Sequence, residues 1–116
     1  MLTIKTKGLL LNIINHCKRI EDNIIGLEEK NFYADENIKD VICFNLLQIG
    51  ELAKNLETDF TNTYANIPWR SVKGMRDRIV HGYGTMDMNR VWLTAIENVK
   101  PLREYCEQII NENQDQ

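Results

Sequence analysis

Three side chains that could move protons and bind a phosphate stand close together between Met75 and Tyr83. Arg76 precedes His81 by five positions, and Tyr83 follows two positions later. A histidine can accept and donate protons near neutral pH, and an arginine keeps its charge and can hold two phosphate oxygens. Such a pair is suited to cleaving RNA without a metal, because the 2′-hydroxyl of the RNA can itself attack the adjacent phosphate while the arginine stabilises the charge.

The spacing prevents Arg76 and His81 from acting on one phosphate from a single straight helix. At 3.6 residues per turn, a five-residue offset separates the two side chains by about 140° of rotation. They could meet if the end of the helix unwinds. They could also meet if the helix packs against its twin across a two-fold axis, since the Arg and His of both chains would then line one cleft. We therefore expect a homodimer to be part of any such mechanism.

Each of these residues also has an interpretation without catalysis. A histidine at a helix end is often a cap that interacts with the helix dipole, and Tyr83 could be a core tyrosine with its hydroxyl at the surface. Lys73 and Arg78 are possible contacts to RNA phosphates, although the charge pattern favours solvated helix residues.

Apolar residues at three- and four-residue spacing predict the helices that position the motif. The first helix would span about residues 5–26 and the second residues 35–57, with a loop over 58–67. Pro68 suits the first turn of a third helix, which Gly82 ends. We therefore expect the motif to lie at the end of this third helix.

A fourth helix follows, for which Asp87 can be the N-cap. Pro101 would kink or break it, and the tail 111–116 would be frayed. Because no stretch alternates with a period of two, strands are not expected. Residues 1–116 are therefore predicted to form one all-α domain, an up-and-down bundle of four to five helices.

The composition is typical of a small cytoplasmic domain without a disulfide framework or a metal. Its three cysteines, at positions 17, 43 and 106, lack metal-ligand spacing and read as buried hydrophobes in a reducing compartment. The apolar run at 9–11 is interrupted at once, so neither a signal peptide nor a membrane span is expected. The net charge of −3 argues against a general nucleic-acid coat, but residues 66–90 carry a local net charge of +3.

The motif and its flanking segments resemble one known family. The stretch from Arg76 to Tyr83 is similar to the R-x4-H-x-Y signature of the HepT-like toxins, within the HEPN superfamily of helical nucleotide-binding and ribonuclease domains. Other landmarks resemble the same family, in its order and at compatible spacing: Ile49-Gly50-Glu51-Leu52-Ala53, Ile67-Pro68-Trp69-Arg70 and Val91-Trp92. They cover about residues 5–112. One position departs from the pattern, because the residue after the motif arginine is often Asn and here is Asp77.

The resemblance implies the toxin half of a toxin–antitoxin pair, a HEPN-like homodimer that cleaves cellular RNA or tRNA without a metal or other cofactor. Its partner would be a small nucleotidyltransferase of the MNT type. By position, Arg76 and His81 would be catalytic, and Tyr83 would receive AMP that the partner takes from ATP. This adenylylation would put bulk and negative charge beside the cleft and repel the RNA backbone. Asp77 could orient one of the two catalytic residues, Arg76 or His81. It could also weaken the binding of phosphate.

Two other functions stay open. The chain could be a non-catalytic, nucleotide-binding subunit of a nucleotidyltransferase complex, in which Arg76 and His81 only hold phosphates, or it could be a structural adaptor. Among the remaining polar residues, Glu51 is predicted to form an ion pair with Arg70 or Arg76, and His16 is predicted to lie on the surface without a partner. Trp69 and Trp92 are expected to pack in the core or at the dimer interface.

Overall fold

Four long helical segments form the body of the protein in a computed structural model that describes residues 2–114. In chain order the helices are α1 (Ile4–Ile24), α2 (Glu29–Ala34), α3 (Glu36–Lys54), α4 (Thr58–Thr63), α5 (Trp69–Gly82), α6 (Met88–Leu93) and α7 (Val99–Glu112). A 3-10 turn (Tyr83–Thr85) follows α5, and a π-helical turn (Thr94–Asn98) joins α6 and α7 into one rod. No strand occurs between residues 2 and 114. The predicted all-α helical bundle is confirmed.

Helices α1 and α3 lie at the centre of this bundle. Helix α3 packs against α1 on one side and α5 on the other, and α1 also packs against α7. The core between them is apolar, and its most deeply buried members include Leu10, Ile13, Ile20, Phe32, Ile42 and Val91. The three cysteines are buried and free, as predicted. Burial raises the pKa of the Cys43 thiol to about 11 and that of Cys106 to about 12, so both stay protonated at neutral pH.

The sequence did not predict two short helices, α2 and α4. Helix α2 buries a single large side chain, Phe32, whose ring centroid lies 5.2 Å from that of Trp92. The segment 58–67 was predicted to be a loop, which is wrong for its first part because α4 forms there. Helix α4 buries no residue, so it has no apolar period to detect. Hydroxyl hydrogen bonds to backbone carbonyls, such as Thr63 to Asp59 at 2.9 Å, accompany it instead.

Pro101 does not break the last helix. A proline inside a helix lacks an N–H group, and its ring crowds the carbonyl four positions earlier. That carbonyl belongs to Glu97, inside the wider π-helical turn, and the rod continues to Glu112. The prediction of a frayed tail from residue 111 is therefore wrong for 111–112. Asn113 also donates a 2.7 Å hydrogen bond to the Ile109 carbonyl, while residues 115–116 lie outside the described part of the chain.

His16 is not the unpartnered surface residue that the sequence suggested. Its Nδ1 lies 2.8 Å from the amide oxygen of Asn45 on α3. Asn45 is only 3% exposed, and its amide nitrogen donates to the Val41 carbonyl at 2.8 Å. A buried amide needs such partners, because leaving them unmade would cost the desolvation of a polar group. The contact joins residues 29 positions apart, so local pattern could not predict it.

Helices α3 and α5 pack closely at Gly50. A Cβ atom at this position would overlap the Cβ of Arg76 and lie 3.1 Å from the carbonyl oxygen of Val72. Only glycine therefore lets the two helices meet this closely. The next residue, Glu51, is thereby placed beside Arg76.

We predict that Gly50→Ala destabilises the protein by about 1–3 kcal/mol, because the added methyl group must push α5 away from α3. Gly8→Ala on α1 is the matched control, since a Cβ there meets nothing within 4 Å. The control should be neutral or stabilising by up to about 1 kcal/mol, because alanine favours the helix. Urea unfolding followed by circular dichroism measures both variants. Equal stability of the two would show that the contact at Gly50 does not limit the packing.

Candidate functional site

Helix α5 carries the motif and stays helical through His81, while Gly82 departs from helical backbone angles with φ −155° and ψ 34°. Its end does not unwind before His81, so Arg76 and His81 point to different sides of the helix. Arg76 lines a depression of about 570 Å³ that Gly50 and Lys73 also border. His81 lines a separate depression of about 500 Å³. One chain therefore does not bring the two predicted catalytic residues together.

Two carboxylates hold the Arg76 side chain. Its Nε donates to Glu51 on α3, and its Nη1 donates to Asp77 at 3.0 Å. Hydrogen bonds to Asp77 and then Glu51 raise the pKa of the guanidinium above its ordinary value, so it stays charged. Of the two partners considered for Glu51, the structure selects Arg76. Asp77 contacts Arg76 and not His81, which leaves the histidine free of both carboxylates.

His81 is exposed to solvent at the last turn of α5. Within residues 2–114 its ring makes no hydrogen bond. The depression that it lines lies between the end of α5 and the start of α6, and its other walls are Arg78, Gly82, Thr85, Met86, Asp87 and Arg90. The imidazole is therefore accessible to a ligand, with two arginines close by.

Tyr83 stands in the 3-10 turn just after α5, and its hydroxyl donates to the carboxylate of Asp40 on α3. This hydrogen bond, followed by partial burial, raises the pKa of the Tyr83 phenol well above its ordinary value. The residue is 38% exposed, so it is not a core tyrosine. Asp40 was not singled out from the sequence. It precedes Tyr83 by 43 positions, and no local signal links the two.

The other basic residues around α5 differ from Arg76 in their contacts with carboxylates. Lys73, Arg78 and Arg90 form no ion pair within residues 2–114. By contrast, Arg103 on α7 is bound by Glu21 at 2.6 Å and by Glu107 at 2.7 Å. Arg78 borders both depressions. The local positive charge predicted from the sequence thus lies mainly on the solvent side of α5, where an anion can reach it.

The two tryptophans belong to the packing and not to this surface. Trp69 is 5% exposed and Trp92 is 6% exposed. The Trp69 indole N–H donates to the Tyr64 carbonyl at 3.1 Å, which fixes the start of α5. The prediction of core packing is confirmed for both residues.

Residues 2–114 contain no group of three or more His, Cys, Asp or Glu side chains arranged to hold a metal ion. None of the helices in this part of the chain has an apolar stretch long enough to cross a membrane.

Comparison with known proteins identifies the family. The model of the family described as "Ribonuclease HepT-like" matches residues 13–109. A protein named "Probable ribonuclease HepT" from Thermococcus cleftensis is 29% identical, over 89% of this chain and 94% of its own length. A protein named "Putative RNase" from Caldanaerobacter subterraneus is 26% identical, over 87% of this chain and 90% of its own length. Another protein named "Putative RNase", from Methanocaldococcus jannaschii, is 28% identical, over 91% of this chain and 88% of its own length. No solved structure matches significantly. The chain belongs to the HepT-like ribonuclease family.

Proposed function

We propose that this protein is the toxin of a toxin–antitoxin pair, a metal-independent endoribonuclease that acts on cellular RNA or tRNA. Family membership supports ribonuclease activity. The observation that carries the mechanism is the exposed His81, which lies in a depression beside two arginines that form no ion pair within residues 2–114. The imidazole can take the proton from a 2′-hydroxyl as that oxygen attacks phosphorus, and an imidazolium can protonate the departing 5′-oxygen.

Cleavage of this kind needs a base and an acid at the same phosphate, together with a cation for the developing charge. A single chain offers one histidine here, and it lies on a different side of α5 from Arg76. Two copies related by a two-fold axis would supply two histidines and two Arg76 side chains to one cleft. The homodimer is thus the simplest assembly that completes the site.

An exposed apolar patch on the α3–α5 surface supports such a dimer. Phe44 is 54% exposed, Val80 is 46% exposed and Tyr83 is 38% exposed. Val80 follows Arg76 by one turn of α5, and Phe44 follows Asp40, the partner of Tyr83, by one turn of α3. Exposed apolar patches that are rimmed by polar groups often mark protein contacts. A second copy on this patch would lie next to Arg76.

We predict that the purified protein cleaves total cellular RNA, including tRNA, in the presence of EDTA. Replacing His81 by Ala removes the proton-transfer group and should lower the cleavage rate by about 100-fold or more. Arg76→Ala should lower the cleavage rate by a similar factor, because it removes the positive charge that stabilises the negative transition state. Rates are measured by gel electrophoresis of labelled RNA.

Arg19→Ala is the control, because it removes an exposed arginine of α1 that lines neither depression, and this variant should retain activity. Full activity of His81→Ala would refute the mechanism. A folded dimer without any cleavage would instead favour the nucleotide-binding subunit, in which Arg76 and His81 only hold phosphates.

A second prediction tests whether the two chains share one site. Arg76→Ala and His81→Ala homodimers should each be slower than the parent by about 100-fold or more, but mixing them with exchange of subunits should restore part of the activity. The mixed dimer keeps one Arg76 and one His81, on different chains, so water must replace the second histidine in one of the two proton transfers and only part of the activity returns. If each chain built a site alone, the mixture would stay as inactive as the parents. Exchange itself is followed by fluorescence transfer between labelled subunits.

We also propose that an MNT-type nucleotidyltransferase neutralises the toxin by moving AMP from ATP to Tyr83. The Tyr83 oxygen would bond to the α-phosphorus, pyrophosphate would leave, and the proton would pass to the Asp40 carboxylate that already accepts it in a hydrogen bond. An aspartate accepts the substrate hydroxyl proton in the same way in protein kinases.

Transfer is measured with ATP labelled at the α-phosphate and a purified MNT-type nucleotidyltransferase. Tyr83→Phe should abolish labelling. Asp40→Asn keeps a hydrogen-bond acceptor but loses the base, and we expect labelling to slow by roughly 100-fold. Tyr105→Phe is the control and should label like the parent. Unchanged labelling of Tyr83→Phe would refute Tyr83 as the acceptor, and unchanged labelling of Asp40→Asn would refute Asp40 as the base.

A further inference from the structure

Arg78 on α5 and Arg90 on α6 border two neighbouring depressions. One is the depression of His81, with a volume of about 500 Å³. The other is a groove of about 560 Å³ between α5 and the rod formed by α6, the π-helical turn and α7. Both arginines line both spaces. They therefore mark the boundary between the candidate catalytic histidine and the groove.

The charge of this pair is not compensated by an ion pair within residues 2–114. Asp87 is the one acidic residue that lines the His81 depression, and its carboxylate caps α6 by accepting a 2.9 Å hydrogen bond from the Asn89 N–H. The guanidinium groups of Arg78 and Arg90 are thus available to an anion. Two arginines at one point favour a phosphate over a single carboxylate, because a phosphate offers more acceptor oxygens.

The groove next to this pair is mainly apolar. Its floor is formed by buried residues such as Leu46, Ile49 and Met75. At its edge the Tyr105 side chain is 40% exposed, and Thr94 and Asn98 belong to the π-helical turn. Such turns are frequent at functional sites. An apolar slot with an exposed aromatic ring and a few polar edge groups is suited to an unpaired nucleobase.

We propose that Arg78 and Arg90 bind a phosphate of the RNA substrate and that the groove takes an unpaired base of the same strand. This inference rests on the proposed ribonuclease function, and it adds a substrate-binding site that positions the strand at His81. The occupant is single-stranded RNA because the site combines uncompensated cations with an apolar slot, and an RNA strand offers phosphates and unstacked bases side by side. A duplex would keep its bases inside and could not fill the groove.

The test measures binding without cleavage. The probe is a fluorescent 2′-O-methyl oligoribonucleotide of mixed sequence, which has no free 2′-hydroxyl to attack its phosphates, and fluorescence anisotropy gives Kd in EDTA. Arg90→Gln should raise Kd by about tenfold, as expected for one lost charge-assisted phosphate contact. The slope of log Kd against log salt should fall by about 0.7, the value for one phosphate contact on a single strand.

Arg19→Gln is the matched control for Arg90→Gln. Arg19 is an exposed arginine of α1 without an ion pair within residues 2–114, so its removal changes the net charge equally at a distant place. The control should leave Kd nearly unchanged. An equal effect of both variants would overturn the phosphate site, because only the overall charge would then matter.

A second pair of measurements tests the groove. Tyr105→Ala should raise Kd for the base-bearing probe by about tenfold through lost stacking, and should leave Kd unchanged for an abasic oligomer of the same length and charge. Arg90→Gln should weaken both probes. If Tyr105→Ala is unstable by circular dichroism, Tyr105→Leu keeps the apolar volume and removes only the aromatic face.

Other outcomes would overturn the inference. If Tyr105→Ala weakens the dimer in light scattering while both probes bind normally, the groove is an interface between copies. If Tyr105→Ala weakens both probes equally, no base enters the groove. Because these assays need no cleavage, they can fail while His81-dependent cleavage persists, and they can succeed while cleavage is absent. The inference and the proposed function are therefore tested separately.

Discussion

The contact between α3 and α5 at Gly50 determines where each candidate catalytic group can point. Without a Cβ at Gly50, the backbone of α5 comes close enough for Glu51 to hold Arg76. Further along the same pair of helices, Asp40 holds Tyr83 just beyond the end of α5. Two polar contacts at separate points fix how α5 is rotated on α3. His81 consequently faces away from α3, into the depression beside α6.

This rotation explains why the motif is incomplete in one chain. A helix held at Arg76 cannot also turn His81 toward the same phosphate, because about 140° separates the two side chains. The same rigidity would be useful in a homodimer, where each chain would present a fixed arginine to one region and a fixed histidine to another. Positioned groups of this kind lose little entropy when a substrate binds. A firmly packed helix and a composite site are therefore compatible.

The sequence predicted the long helices well because their apolar period is local, and it located Arg76, His81 and Tyr83 at the end of one helix. It did not predict the side-chain contacts whose two partners lie far apart along the chain. The His16–Asn45 contact and the Tyr83–Asp40 contact depend on how α1 and α5 are aligned with α3. For the same reason Glu51 had two possible partners until the register of α3 and α5 was known. Helices α2 and α4 were missed because six residues show too little periodicity.

The cations along α5 differ in how firmly they are held, and this difference bears on how an RNA strand would approach. Glu51 and Asp77 both bind Arg76, whereas Arg78 and Arg90 form no ion pair within residues 2–114. Lys54, Arg70 and Lys73 line the same depression as Arg76, so positive charge surrounds the held arginine. Arg78 borders this depression and that of His81, so under the proposed function the attraction of a phosphate would extend across both. Arg76 would then act on a strand that is already held, where displacing Asp77 costs less because binding has been achieved by other contacts.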